Sequence, residues 1–103
     1  MSTTKQQITA IIYDKRGRVI SIGQNSYVKT HPLQARHAKQ VGEEHKIFLH
    51  AEIAAIAKCK NIKKAQRMLV MRFGFDGKPM LAKPCKVCES AIAAAGIPQI
   101  EHT

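Results

Sequence analysis

Apolar positions alternate in some stretches of this chain and recur every three or four residues in others. From Ile8 to Tyr13 the residues are apolar and rich in β-branched types, and Asp14-Lys15-Arg16-Gly17 then supplies turn chemistry. Arg18 to Gly23 alternates again, which places Val19 and Ser21 on one face and Ile20 and Ile22 on the other. Two such runs about a turn predict a β-hairpin, 7–13 and 18–23.

The period then lengthens. Pro32 stands where a helix can begin. Leu33, His37 and Val41 recur at i, i+4 and i+8, and Gly42 is a stop signal, so a helix is expected over 32–41. Glu43 to Leu49 reads as a connector. A second helix runs from His50 to about Lys60, with Ile53, Ile56, Ala57 and Lys60 on one face and Asn61 as its end. Arg67 to Phe73, around Met68-Leu69-Val70-Met71, reads as a buried strand. Phe75-Asp76-Gly77-Lys78 carries a turn signal, and the chain continues as a ribbon through Met80-Leu81 to Pro84. A third helix spans 85–95, with Cys88, Ala91, Ile92 and Ala95 inward, Gly96 as its C′ residue and Pro98 just beyond. Residues 97–102 form a last short strand. The chain has no internal repeat, low-complexity tract or linker, so a single domain over 1–103 is expected.

Composition narrows the class. No apolar run is long enough to span a membrane. The polar start Met1-Ser2-Thr3-Thr4-Lys5-Gln6-Gln7 has no apolar core of a secretory signal. There are 3 Cys, two of them in a ligand-like pair, which argues for a reducing, cytoplasmic setting and against a disulfide scaffold. Lys and Arg number 17 against 7 Asp and Glu, a formal charge of +10 that favours a phosphate-bearing partner: a nucleotide or a nucleic acid. With no Trp and few aromatics, a broad stacking platform for single strands is not evident.

The candidate chemistry lies in two short stretches, Leu49-His50-Ala51-Glu52 and Lys83-Pro84-Cys85-Lys86-Val87-Cys88, each opening an apolar helix. Zinc takes tetrahedral nitrogen and sulfur ligands, and a catalytic site keeps one position for water. His50, Cys85 and Cys88 supply three ligands. Cys85 and Cys88, three apart, share one helix face, and the exposed N–H groups of a helix start favour their thiolates. Two thiolates balance Zn2+. Glu52 is the carboxylate beside the His half and is placed to move protons. Two plainer uses of a CxxC stand beside this one. A structural zinc site would need a fourth ligand, for which Cys59 and His102 are available. A redox pair would leave the His-x-Glu without a use.

The HAE and PCxxC stretches together match the zinc pattern of nucleobase deaminases. The order hairpin, HAE helix, strand, PCxxC helix, strand resembles the cytidine/deoxycytidylate deaminase superfamily over residues 8–102. The resemblance implies an α/β fold, a three-layer α/β/α sandwich about a mixed central sheet. The version here is minimal, without the N-terminal and C-terminal helices: only Met1 to Gln7 precede the first strand, and the chain stops near Thr103. It implies Zn2+ on His50, Cys85 and Cys88, and Glu52 as the catalytic proton shuttle. It places the Ala51 backbone N–H where the family bonds the base carbonyl, and Asn25, within Gly23-Gln24-Asn25, where the family holds the sugar. Lys83 stands where Thr, Ser or Glu is common. Missing outer helices would leave apolar surface for another copy to cover, so a homo-oligomer is expected.

These implications lead to hydrolytic deamination of a cytosine base to uracil. The favoured substrate is a free cytidine nucleotide such as dCMP, with Lys29 and Lys83 as the candidate phosphate-binding cations. The alternative is action on cytosine or adenine within single-stranded DNA or RNA, tRNA included. A non-catalytic, zinc-stabilised nucleic-acid-binding module is the reading from another class. His31, His37 and His45 are expected as solvated or helix-face residues. Tyr27 and Phe48 divide between base stacking and core packing, and Cys59 is expected to be buried or half-buried.

Overall fold

The computed structural model describes residues 7–26, 30–43, 49–74 and 76–103. Strands β1 (Ile8–Tyr13) and β2 (Val19–Gln24) form the expected hairpin. Its turn is locked by Asp14, whose carboxylate accepts from the Arg16 and Arg18 backbone N–H groups, each at 2.9 Å. Gly17 takes a left-handed φ of 76°, a conformation that costs glycine little. Helix α1 (Pro32–Gln40) begins at the proline, and His31 caps it by accepting from Leu33 N–H at 3.0 Å. Helix α2 (Ala51–Lys58) follows, then a short 3-10 helix, Ile62–Lys64. Strand β3 (Arg67–Phe73), the two-residue strand β4 (Pro79–Met80), helix α3 (Lys86–Ala95) and strand β5 (Gln99–His102) complete the order. Helix α3 ends on Gly96 at φ 74°, as its sequence position predicts.

The sheet is mixed and five-stranded, in the order β2-β1-β3-β4 with β5 also on β3. Pairing is antiparallel except for β5, which runs parallel to the first half of β3. Strands β4 and β5 thus share one edge of β3. Thr103 ties them there, donating its hydroxyl to Met80 C=O at 2.6 Å and accepting from Arg72 N–H at 3.0 Å. A mixed sheet with three helices is the arrangement expected of a cytidine-deaminase-like α/β fold.

Alternation decides which face is covered. Ala10, Ile12, Met68 and Val70 point to one side and pack with Ala51 and Ala55 of α2 and Ile92 of α3. A second cluster joins the helices to one another: Ala38 of α1, Ile53 of α2, and Val87, Cys88 and Ala91 of α3. Helix α2 therefore lies between sheet and helices, and its first five residues are all buried. This differs from the single face read from periodicity. Ala57 is exposed, and Lys60 lies beyond the helix and is also exposed. The last turn of α2 runs past the packed region, so apolar period stops reporting burial there.

The hairpin departs in one respect. Ile12 pairs with Ser21 but Tyr13 pairs with Val19, so Ile20 is an extra residue in a β-bulge. The bulge reverses the faces on either side of it. Val19 and Ser21, expected together, part: Ser21 is buried against α2, and Val19 is 51% exposed. Ile20 packs on the core, and Ile22 points to the opposite, open face at 50% exposure. Cross-strand register places Ile11, Ile22 and Leu69 in one row of that open face, with Met71 and Phe73 further along β3. Among the described residues no helix is long and apolar enough to cross a membrane.

Candidate metal centre

Two helix starts converge on the site. His50 is the N-cap of α2 and Cys85 the N-cap of α3; both have extended backbone, and neither side chain caps its own helix. Pro84 biases Lys83 toward extended backbone, so the chain reaches Cys85 from an extended stretch and not from an earlier helical turn. Cys88 sits one turn into α3 and is fully buried. His50 Nδ1 lies 3.2 Å from Cys88 Sγ and 3.5 Å from Cys85 Sγ. The three ligand atoms all fall within 4.8 Å of one another. With zinc bonds of ordinary length, the nitrogen–sulfur edge of a tetrahedron is about 3.5 Å. The donor set and its spacing therefore fit zinc. His50, Cys85 and Cys88 form a candidate zinc site with one imidazole and two sulfurs.

Electrostatics agree with this assignment. The Cys85 thiol is held down to about 3, first by the hydrogen bond it receives from Cys88 and then by His50. The Cys88 thiol is pushed far up, by the same shared hydrogen bond and by burial. The shared hydrogen bond thus favours a thiolate at Cys85 and a thiol at Cys88. Cys85 and Cys88 would hold zinc as thiolates, whose two charges match those of the ion. No further Cys, His or carboxylate joins the three among the described residues. Cys59 packs against the sheet-facing cluster, and His102 lies on the exposed edge strand β5. The structural-zinc alternative finds no fourth ligand in either. A redox pair has no use for an imidazole set against both sulfurs.

Glu52 is two residues into the same helix start and only 6% exposed. Burial raises its carboxyl above the ordinary value of 4.5, opposed by hydrogen bonds from backbone and from the Cys88 thiol. It borders the centre without belonging to the ligand group. Asn25 is brought to the rim: Ser26 N–H donates to Leu49 C=O at 2.8 Å, next to His50. The Asn25 side chain accepts from Ile8 N–H at 2.8 Å and so also closes the open end of the hairpin. Ala51 is buried at the first position of α2, where helix geometry gives its N–H no partner within the helix. Lys83 is exposed, just ahead of Pro84. Lys29, Tyr27, His45 and Phe48 lie outside the described residues.

One supporting residue escapes the sequence patterns. Gln34 of α1 is fully buried, and its side-chain carbonyl accepts from His50 N–H at 3.2 Å. Only its place beside an apolar stripe hints at burial. His37 is 3% exposed, so of the two expectations it takes the helix face, on the stripe with Leu33 and Val41. Its Nδ1 meets Ser90 Oγ at 2.9 Å and links α1 to α3. Gly23 is a third support, because a Cβ there would lie 2.2 Å from Ala55 N and 2.5 Å from Ala51 O. Only glycine lets α2 settle this closely on β2.

Comparison with known families gives the same answer as the geometry. Residues 2–102 match the family described as the cytidine and deoxycytidylate deaminase zinc-binding region, and the chain belongs to that family. No curated protein matches the sequence.

Proposed function

We propose that this protein hydrolytically deaminates a cytosine base to uracil, with a free cytidine nucleotide, dCMP above others, as substrate. The carrying observation is Glu52, a buried carboxyl beside three candidate ligands that would leave a bound zinc one position for water. Zinc, when bound, lowers the pKa of a water toward about 7 and so supplies a nucleophile for C4 of the base. Glu52 would take one proton from the water and pass it to ring nitrogen N3, then take the second from the hydroxyl added at C4 and pass it to the amino group, which leaves as ammonia. Burial raises the Glu52 carboxyl, which favours the protonated form it takes between the two transfers. Ala51 N–H receives the base carbonyl, Asn25 the sugar, and Lys29 and Lys83 the phosphate. The protein acts as a single cytoplasmic domain over 1–103 that assembles as a homo-oligomer.

A second reading has an observation of its own. Charge of +10, and a basic cleft at the other end of the sheet, favour cytosine or adenine within single-stranded DNA or RNA. A non-catalytic zinc-stabilised module gives Glu52 no task. Ammonia release from cytidine, deoxycytidine, CMP, dCMP, adenosine and a cytosine-containing oligonucleotide separates the three. Turnover of dCMP ahead of deoxycytidine is expected. Deaminated oligonucleotide with mononucleotides untouched replaces the first reading by the second, and a zinc-loaded protein inert on all of them leaves the third.

A further inference from the structure

The zinc centre uses one end of the sheet. The other end carries a cleft of about 480 Å³ between the β1–β2 turn and the 3-10 helix, lined by Lys15, Arg16, Arg18, Lys63 and Lys64 with Asp14. Asp14 does not cancel this charge evenly. Its carboxylate is engaged by two backbone N–H groups and by Arg18 Nε at 3.1 Å. Four exposed cations, Lys15, Arg16, Lys63 and Lys64, therefore face the cleft from two walls. Both walls are fixed in place. The turn closes through Asp14 N–H to Arg18 C=O at 3.0 Å, and Gln66 N–H donates to Tyr13 C=O at 2.8 Å, joining the end of the 3-10 segment to the end of β1.

Strand β2 runs antiparallel to α2. Ser26 bonds Leu49 at the start of the helix, and Ser21 Oγ donates to Ala55 C=O further along it. The hairpin turn thus lies toward the C-terminal end of α2, and His50 stands at its N-terminal end. A helix of 8 residues rises about 12 Å. The cleft is a place apart from the metal centre, not part of its pocket.

We propose that this cleft is a docking site for the sugar–phosphate backbone of a single-stranded nucleic acid. Cations on two walls suit successive phosphates of a strand better than the lone phosphate of a mononucleotide. A nucleoside triphosphate would also need a surface for its base, and among the described residues no aromatic side chain lines the cleft. Contacts made only by Lys and Arg predict binding that is indifferent to sequence and steeply sensitive to salt. The inference concerns binding, and it holds whether or not the bound strand is the substrate.

The test is fluorescence anisotropy of a labelled 20-nucleotide single strand against the full, zinc-loaded chain over a series of salt concentrations. Lys63→Gln/Lys64→Gln on one wall and Lys15→Gln/Arg16→Gln on the other should each weaken binding about tenfold and lower the log–log salt slope by about 1.4, the share of two phosphate contacts. Lys39→Gln/Lys78→Gln makes the same charge change at two exposed residues outside the cleft and should cost far less. Circular dichroism and zinc content confirm that each variant is folded. An equal loss in the control pair overturns the proposal, because net charge alone would then account for binding. So does an unchanged salt slope in both cleft variants. If ATP displaces the strand at matched phosphate concentration, the occupant is a small polyphosphate and the nucleic-acid assignment falls.

Discussion

At the scale of single residues, the proposed function divides labour between groups that hold a cation and one that moves protons. Cys85 and Cys88 are candidate zinc ligands, so Cys85→Ala or Cys88→Ala should abolish stoichiometric zinc, as read by elemental analysis of the purified protein. Glu52→Gln should keep zinc and fold while turnover falls by about 10²- to 10⁴-fold, the usual contribution of a positioned acid–base. The same substitution has a stability consequence with a definite sign. Burial raises the Glu52 carboxyl above 4.5, so the metal-free folded state holds its proton to higher pH than the unfolded chain. Its contribution is neutral below the unfolded value and increasingly unfavourable as pH rises toward the folded one. Metal-free Glu52→Gln should therefore be more stable than metal-free wild type at pH 7, with the gap closing below about pH 4. Denaturant titrations at the two pH values check this. Asp14 has the opposite sign: backbone hydrogen bonds, Arg18 first, hold its carboxyl below the ordinary 3.8. Its stabilisation is present above the unfolded value and is lost as pH falls through the folded one.

At the scale of elements, the sequence shows where the helices begin more clearly than what positions them. The Pro32, His50 and Cys85 starts and the Gly96 stop carry their own local chemistry, and β3 spans the residues expected of it. The β-bulge at Ile20 is invisible to alternation, because one extra residue changes the face without changing composition. Gln34 is equally hidden: its value lies in a partner, His50 N–H, that only the packing of α1 on α2 supplies. The ligands were legible because residue type and spacing state their chemistry, whereas the groups that aim them depend on tertiary contact. Gly23 gives this a test. Gly23→Ala must push α2 off β2, since the new Cβ would meet backbone atoms at 2.2 and 2.5 Å. Overpacking of this kind costs about 1–3 kcal/mol, often more where backbone has to move. The helix that moves carries His50 and Glu52. Thermal melts should show the loss, and zinc affinity should weaken although no ligand has changed.

At the scale of the whole molecule, the helices pack on one face of the sheet and the described residues leave the other open. Part of that face is polar: Arg67 lies 4.1 Å over the Tyr13 ring and pairs with Glu101. The remainder is apolar, with Ile22 and Phe73 at 50% and 45% exposure beside Ile11, Leu69 and Met71. Contiguous apolar surface of this kind is costly in water and is characteristically covered by a partner. A second copy meeting it through the same face forms a closed, two-fold interface, in which the Arg67–Glu101 pairs provide a polar margin. Light scattering at micromolar concentration should then report a dimer or a larger even assembly. Ile22→Glu with Phe73→Glu places like charges within the apolar part of the face and should shift the protein to monomer. The metal centre lies on the helical side, so zinc content of the double variant should remain one per chain. A wild-type protein that is a stable, active monomer contradicts the assembly, and so does a double variant that keeps the wild-type mass. Loss of zinc together with loss of mass would instead show that the metal centre depends on the interface, which the one-sided packing of α1, α2 and α3 argues against.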